Sequence, residues 1–170
     1  MATPYSLKLY DEVTSTQDVA AADFGGEPLL VVAARQAEGR GRSHRRWQQA
    51  PRAVAASLAF VPDWPSRSWP LIPLVAGLAA GETLGEGVRL KWPNDLLWGE
   101  AGKVGGVLVE GTSARLVVGL GVNLWWPEPP EGIRGLRDDD PGPERGRVLA
   151  EAWARNLLHR LARGPLDWDR

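Results

Sequence analysis

Two consecutive hairpin patterns in the middle of the chain constrain its fold more than any other feature. Leu96-Leu97-Trp98, the turn residues Gly99-Glu100-Ala101-Gly102 and the run Lys103 to Glu110 read as one hairpin. Gly111-Thr112-Ser113-Ala114 then turns the chain again, into Arg115 to Asn123. Two adjacent hairpins imply an antiparallel stretch of sheet.

The remaining segments supply strands and helices around it. Leu7-Lys8-Leu9-Tyr10 alternates in part and predicts a strand ending near Val13. Ser15, with Asp18 three residues later, resembles a capping box and predicts a helix running to about Phe24, ended by Gly25-Gly26. Leu29 to Ala34 is an apolar run of strand length and reads as a buried strand; Ala53 to Phe60 is another, closed by Pro62 and Pro65. Leu71, Leu74, Val75 and Leu78 follow helical spacing, so a core helix is expected over about Trp69 to Leu84, with Pro70 and Pro73 tolerated in its first turn. Val88 to Trp92 reads as a strand that Pro93 stops or bends. Residues 127–143, rich in Pro, Gly and Asp, form a loop, and Asp138-Asp139-Asp140 reads as its solvated tip. Val148, Leu149, Trp153, Leu157, Leu158 and Leu161 make an amphipathic helix over Glu144 to Arg163. Helices interspersed with hairpins place the chain in the α+β class: one mixed, largely antiparallel sheet with helices packed against it. A length of 170 residues suits one ordinary domain with a sizeable core.

Composition narrows the chemistry. The chain has no cysteine, which excludes disulfides, zinc–thiolate sites, iron–sulfur clusters and a cysteine nucleophile. With only two histidines, His44 and His159, a multi-histidine metal site is excluded as well. Twenty basic residues nearly cancel 21 acidic ones, so the whole molecule exerts no attraction on nucleic acid or an anionic membrane. No apolar stretch approaches the roughly 18 residues of a membrane span. The N-terminus has no signal-peptide pattern, and a cytoplasmic protein is expected.

Against that neutral background, residues 35–52 stand out. Six arginines (Arg35, Arg40, Arg42, Arg45, Arg46, Arg52) face one acid, Glu38, in an 18-residue segment with no apolar periodicity. It reads as an exposed, mobile, cationic loop. Within it, Gly39-Arg40-Gly41-Arg42 combines glycines that let backbone approach a ligand with guanidinium forks that suit phosphates. The same pattern also occurs in nucleic-acid-binding segments and in solvated loops. Lys91-Trp92-Pro93-Asn94-Asp95 places two polar side chains at a strand end, where they serve a ligand or simply the turn. In Lys103-Val104-Gly105-Gly106-Val107-Leu108-Val109-Glu110 the paired glycines mark a β-bulge or the close approach of a ligand or another backbone. Gly119-Leu120-Gly121-Val122-Asn123 repeats that interruption.

Taken in order and spacing, these motifs closely resemble the biotin–protein ligases. Ser15-Thr16-Gln17 and Gln36, three residues before Gly39, fall in register with them, and the likeness covers about residues 7–126. The resemblance implies the catalytic-domain fold shared with lipoate–protein ligases. It also implies ATP and Mg²⁺ as requirements and biotin as substrate. Biotin's carboxylate would attack the α-phosphate of ATP to give biotinyl-5′-AMP and pyrophosphate. A lysine of a biotin carboxyl carrier protein, an acetyl-CoA carboxylase subunit or similar, would then take the biotinyl group and release AMP. By the match Lys103 is the catalytic lysine, with Arg42 and Arg45 contacting carboxyl or phosphate groups. Ser15, Thr16, Gln17, Gln36, Gly39, Arg40, Gly41, Arg42, Lys103, Gly105 and Gly106 would bind biotin, Gly105 and Gly106 by leaving room against the strand. Arg40, Arg42, Arg45, Trp47, Asn94, Lys103 and Asn123 would bind the adenylate, and Asp95 would hold the metal or the incoming lysine. Trp47 has ordinary core packing as its alternative role.

Three departures qualify the match. His44 stands where the family usually has glycine. The segment after Trp47 reads Pro51-Arg52-Ala53-Val54 instead of a Gly-Asn type turn. The chain is expected to be a single catalytic domain over residues 1–170, with neither an N-terminal winged helix nor the C-terminal β-barrel domain of bacterial relatives, and so to have no DNA partner. A homodimer through a sheet edge, as in family members, is possible on this reading. The alternatives are a homologue that binds biotin but transfers it poorly, a lipoate or octanoate transferase on the same fold, and an Arg/Gly nucleic-acid binder whose affinity would fall steeply with salt.

Overall fold

The computed structural model describes residues 4–99 and 102–165. Glu100 and Ala101 of the expected turn, and the side chain of His44, lie outside the described residues. Seven strands form one sheet in the order β1-β2-β3-β7-β6-β5-β4: β1 (Ser6–Val13), β2 (Leu29–Gln36), β3 (Arg52–Phe60), β4 (Val88–Lys91), β5 (Asp95–Trp98), β6 (Gly102–Thr112) and β7 (Arg115–Trp125). All neighbours run antiparallel except β1 and β2. That one parallel pair needs a crossover, and α1 (Thr16–Asp23) provides it. The two hairpins meet in β6–β7 and β5–β6, as the turn chemistry predicts.

Period-two alternation divides the central strands between two layers. Val118, Leu120, Val122 and Leu124 of β7 join the main core with α2 (Ile72–Leu84) and α3 (Arg145–Ala162). Val117, on the opposite face, packs with Ala59, Val31, Leu29 and Ala20 beneath α1. The interleaved residues Gly119, Gly121 and Asn123 therefore share the α1 face. So do Ser57 and Ala55, which pair with Gly119 and Gly121 across the ladder. A strip of small side chains beyond the end of α1 leaves the sheet uncovered there, and this strip becomes the floor of the cavity described below.

Three expectations need correction. The helix expected from Trp69 is a 3-10 turn over Ser66–Leu71 that becomes α-helical only at Ile72. Pro70 cannot sit inside an α-helix, so the register starts after it and the buried stripe is Ile72, Val75, Ala76, Ala79 and Ala80. Leu71 and Leu78 are left 45% and 43% exposed. The Ala-rich face admits close contact: Trp153 Nε1 donates to Ala76 O at 3.1 Å, and Asn156 Nδ2 to Ala79 O at 3.2 Å. In α3, Val148 faces outward while Leu149, Trp153, Leu157 and Leu161 are buried. Finally, Ser15 is the N-cap residue of α1, but its side chain makes no capping bond, and Asp18 turns to Arg40 instead. Among the described residues no helix is long and apolar enough to cross a membrane.

Candidate active site

A cavity of about 580 Å³ opens on the α1 face of the sheet, within the size range of small-molecule sites. Every residue that the sequence assigned to a site borders it except Gly39. Gly39 lies behind the wall, where a side-chain carbon would come within 3.1 Å of Trp47 and 3.2 Å of Gln36 Nε2.

One end is a buried polar network. Gln36 Oε1 accepts from Thr16 N at 2.7 Å and from Thr16 Oγ1 at 3.0 Å; Thr16 Oγ1 also contacts Ser57 Oγ at 2.8 Å. Thr16 has one hydroxyl proton and commits it to Gln36, so Ser57 must donate to Thr16. Gln36 therefore enters the network as an acceptor and keeps its two amide N–H donors. Beside it, Ser15 is 1% exposed and its hydroxyl has no hydrogen-bond partner; Gln17 Oε1 is likewise buried and unpartnered. A buried polar atom without a partner is costly to folding. Ser57 escaped the sequence reading, although a lone polar residue in the apolar run 53–60 was the available signal.

The opposite end is charged. Lys103 Nζ lies 2.7 Å from Asp95 Oδ1. Across the ladder Lys91, Asp95, Gly106 and Gly121 form one row. Asp95 thus reaches the cavity from β5, beside the glycine that makes room for it. Asp95 does not fit the role of a magnesium ligand: its carboxylate is neutralised by an ammonium group, and among the described residues no three His, Asp or Glu side chains converge to hold a metal ion. The 127–143 loop also departs from expectation. Its backbone straps onto the sheet, with Ile133 bridged to Lys103, Arg134 N donating to Lys103 O at 2.9 Å and Leu136 N to Asn123 O at 2.9 Å. Ile133 thereby joins the cavity wall, and no pattern in that Pro/Gly-rich stretch announced it. Asp140 pairs with Arg52 at 2.9 Å.

The cationic loop arches over the middle. Its neck is closed by Trp47 N to Gly39 O at 2.8 Å and Gly41 N to Arg45 O at 2.7 Å, and the tip Arg42–His44 is a 3-10 turn with Ser43 in the left-handed region at φ 56°. Trp47 lies on Gly121, where a side-chain carbon would come within 2.9 Å of the indole. Arg42 Nη1 donates to Asn94 Oδ1 at 3.4 Å, spanning the cavity mouth. Arg45 and Arg42 have no carboxylate partner among the described residues. Arg40 differs: its guanidinium is ion-paired with Asp18 and Glu110. Asn94 and Asn123 are also partly used. Asn94 Nδ2 donates to Val107 O at 3.0 Å; Asn123 accepts from Ala50 N at 2.9 Å and donates to Gln48 O at 3.3 Å. Each keeps one amide N–H for another partner. At Gly105 a side-chain carbon would lie 2.1 Å from Gly121 O, so its bareness serves the close approach of β7 at the cavity's edge.

Residues 11–124 match the biotin/lipoate A/B protein ligase family. The chain belongs to that family. Among relatives, it is 32% identical over 161 residues to the biotin–[acetyl-CoA-carboxylase] ligase of Mycobacterium tuberculosis, which covers 88% of this chain and 58% of the relative. It is 34% identical over 131 residues to the bifunctional ligase/repressor BirA of Bacillus subtilis, covering 69% of this chain and 40% of the relative. The chain thus spans about half the length of these relatives. Its fold is that of biotin protein ligase structures. The Leishmania major enzyme in complex with biotinyl-5-AMP superposes with a TM-score of 0.79 at 26% identity, over 95% of this chain and 77% of that one. The Aquifex aeolicus enzyme with biotin and ATP gives 0.72 at 29% identity, over 94% and 73%.

Proposed function

We propose that this family member is a biotin–protein ligase that forms biotinyl-5′-AMP from biotin and ATP and transfers the biotinyl group to a lysine of a biotin carboxyl carrier protein. One observation carries the reading: the unpartnered, buried Ser15 hydroxyl stands in a polar network at one end of the cavity, and Lys103 stands at the other. Biotin has the same polarity, with a ureido group at one end and a carboxylate at the other. The ureido carbonyl needs donors and its N–H groups need acceptors, which the Ser15–Thr16–Gln36 region offers together. A site built on such bonds rejects analogues that lack them.

At the charged end, the carboxylate and the triphosphate repel each other. Lys103, Arg42 and Arg45 offset that repulsion, and the enzyme's part is positioning and electrostatic stabilisation without a covalent protein nucleophile. As the carboxylate oxygen bonds to the α-phosphorus, pyrophosphate leaves. The carrier's neutral lysine amine then attacks the acyl carbon, the acyl–phosphate bond breaks, and AMP leaves. The loop over the cavity excludes the water that would hydrolyse the mixed anhydride. Among the described residues no three carboxylate or imidazole side chains converge to hold a magnesium ion.

Incubation with ATP, biotin and an apo-carrier domain should give both pyrophosphate and biotinylated carrier. Biotin binding without turnover, or acceptance of lipoate or octanoate in its place, would overturn the reading. Ser15→Ala gives a second check. Because the hydroxyl makes no hydrogen bond within the protein, its removal breaks none, and thermal stability should hold. Biotin affinity should fall about tenfold or more for the lost bond. Calorimetric titration and a melting curve on the same sample read both.

A further inference from the structure

We propose that Asp18 and Glu110 are positioning residues that hold the stem of the 39–47 loop over the cavity through Arg40, so that Arg40 anchors the loop and does not contact phosphate. Only the identity of what the loop covers rests on the biotin reading. Arg40 Nη1 donates to Asp18 Oδ2 at 2.7 Å; Nη2 donates to Asp18 Oδ1 at 2.8 Å and to Glu110 Oε2 at 3.1 Å. That Glu110 oxygen also accepts from Gln17 Nε2 at 3.0 Å, and the same Nε2 donates to Val117 O at 3.3 Å. One planar guanidinium therefore ties together the first turn of α1, the far end of β6 and the loop. Lysine, a point charge, cannot reproduce this forked geometry.

Fixing Arg40 fixes more than one residue. Arg40 bridges to Arg46 across the neck, the flanking pairs Gly41–Arg45 and Gly39–Trp47 are hydrogen-bonded, and Trp47 lies on Gly121. The tip Arg42–His44 is tied to the stem by Arg45 N donating to Arg42 O at 3.2 Å and reaches the facing wall by the 3.4 Å bond from Arg42 to Asn94. The loop is thus divided into a stem set before any ligand arrives and a tip that can reposition when anions do. The two carboxylates also neutralise charge in a segment that is otherwise strongly cationic, and they keep the Arg40 guanidinium from being drawn to the ligand's anions. Each ion pair is half-exposed and worth little to global stability alone. Its effect is on pre-organisation, which shows in binding. Arg40 holds the Asp18 carboxyl below its ordinary range. A depressed folded-state value means that the clamp's contribution is present above the ordinary carboxylate range and is lost as pH falls below it. At neutral pH the clamp is intact.

The test compares Asp18→Asn, Glu110→Gln and the conservative Asp18→Glu by trypsin cleavage after Arg42, Arg45 and Arg46, by biotin titration and by pyrophosphate kinetics. Loss of either carboxylate should speed loop cleavage several-fold and weaken biotin about tenfold, while kcat at saturating biotin stays within about threefold. Asp18→Glu should recover much of both losses. The double variant Asp18→Asn/Arg40→Gln should be no worse than the poorer single variant, because the two residues act through one contact. Unchanged cleavage and unchanged biotin affinity in both carboxylate variants, or fully additive losses in the double variant, would overturn the proposal. Should the wild-type chain bind no biotin, the ligase reading falls, and the cleavage comparison still decides the clamp: faster loop cleavage supports it and equal cleavage refutes it.

Discussion

Lys103→Ala should leave the fold intact and reduce adenylate formation by about a thousandfold or more, equivalent to about 4 kcal/mol of transition-state stabilisation. The side chain is half-exposed at the cavity, so truncation opens no buried void. The functional loss has two parts. The ammonium charge no longer offsets the repulsion between carboxylate and triphosphate, and Asp95, deprived of its 2.7 Å partner, presents a bare carboxylate to two incoming anions. The second part makes the expectation more specific. In the Lys103→Ala background, Asp95→Asn should recover part of the lost affinity for biotin and ATP, because it removes the anion left behind. Lys103→Arg should recover charge but not activity, since a fork replaces a point charge. Pyrophosphate release under single-turnover conditions separates chemistry from carrier transfer. A Lys103→Ala enzyme within about threefold of wild type, under 1 kcal/mol, would sink the assignment.

The strands were legible because their signals are local. Alternating apolar runs, Gly-rich turns and Pro stops bounded β1 to β7 within a residue or two of their positions in the structure. What failed was the orientation of helices. Leu71, Leu74, Val75 and Leu78 have helical spacing, yet α2 buries Ile72, Val75 and four alanine or glycine positions. The reason is long-range: Trp153 and Asn156 of α3 reach α2 backbone carbonyls, and only small side chains permit that approach. The polar site shows the same division. Lys103, Arg42, Gln36 and Ser15 belong to short motifs that name themselves. Asp18 and Glu110 matter only because the crossover helix and the far end of β6, an interior strand, converge on Arg40, a juxtaposition invisible in sequence. Ile133 depends likewise on a strap with no periodicity. Sequence revealed which residues carry charge; the fold decided which charges are already spent within the protein.

Glycine at position 105 illustrates how closely the site is built into the sheet, and its replacement should have the largest effect on stability. A carbon added there would lie 2.1 Å from Gly121 O, 2.9 Å from Val122 Cα and 3.1 Å from the Gly121 carbonyl carbon. All three are backbone atoms, so no side-chain rotation relieves the clash. Nor can β7 retreat, because it is bonded to β3 on its other side and buried between both layers. Overpacking in such a place costs about 3 kcal/mol or more. For a chain of this size that lowers the melting temperature by about 6–12 °C. Gly25→Ala is the matched control, since nothing lies within 4 Å of the added carbon there, and its melting temperature should scarcely move. The loss should extend to function. Gly105 is two residues from Lys103, and Gly106, its neighbour, shares a row with Asp95. Any shift of β6 that relieves the clash therefore moves the ammonium and carboxylate apart from the cavity floor. Among molecules that remain folded at low temperature, Gly105→Ala should still form adenylate slowly, and a variant that melted within about 2 °C of wild type would show that the strand can yield where its backbone contacts say it cannot.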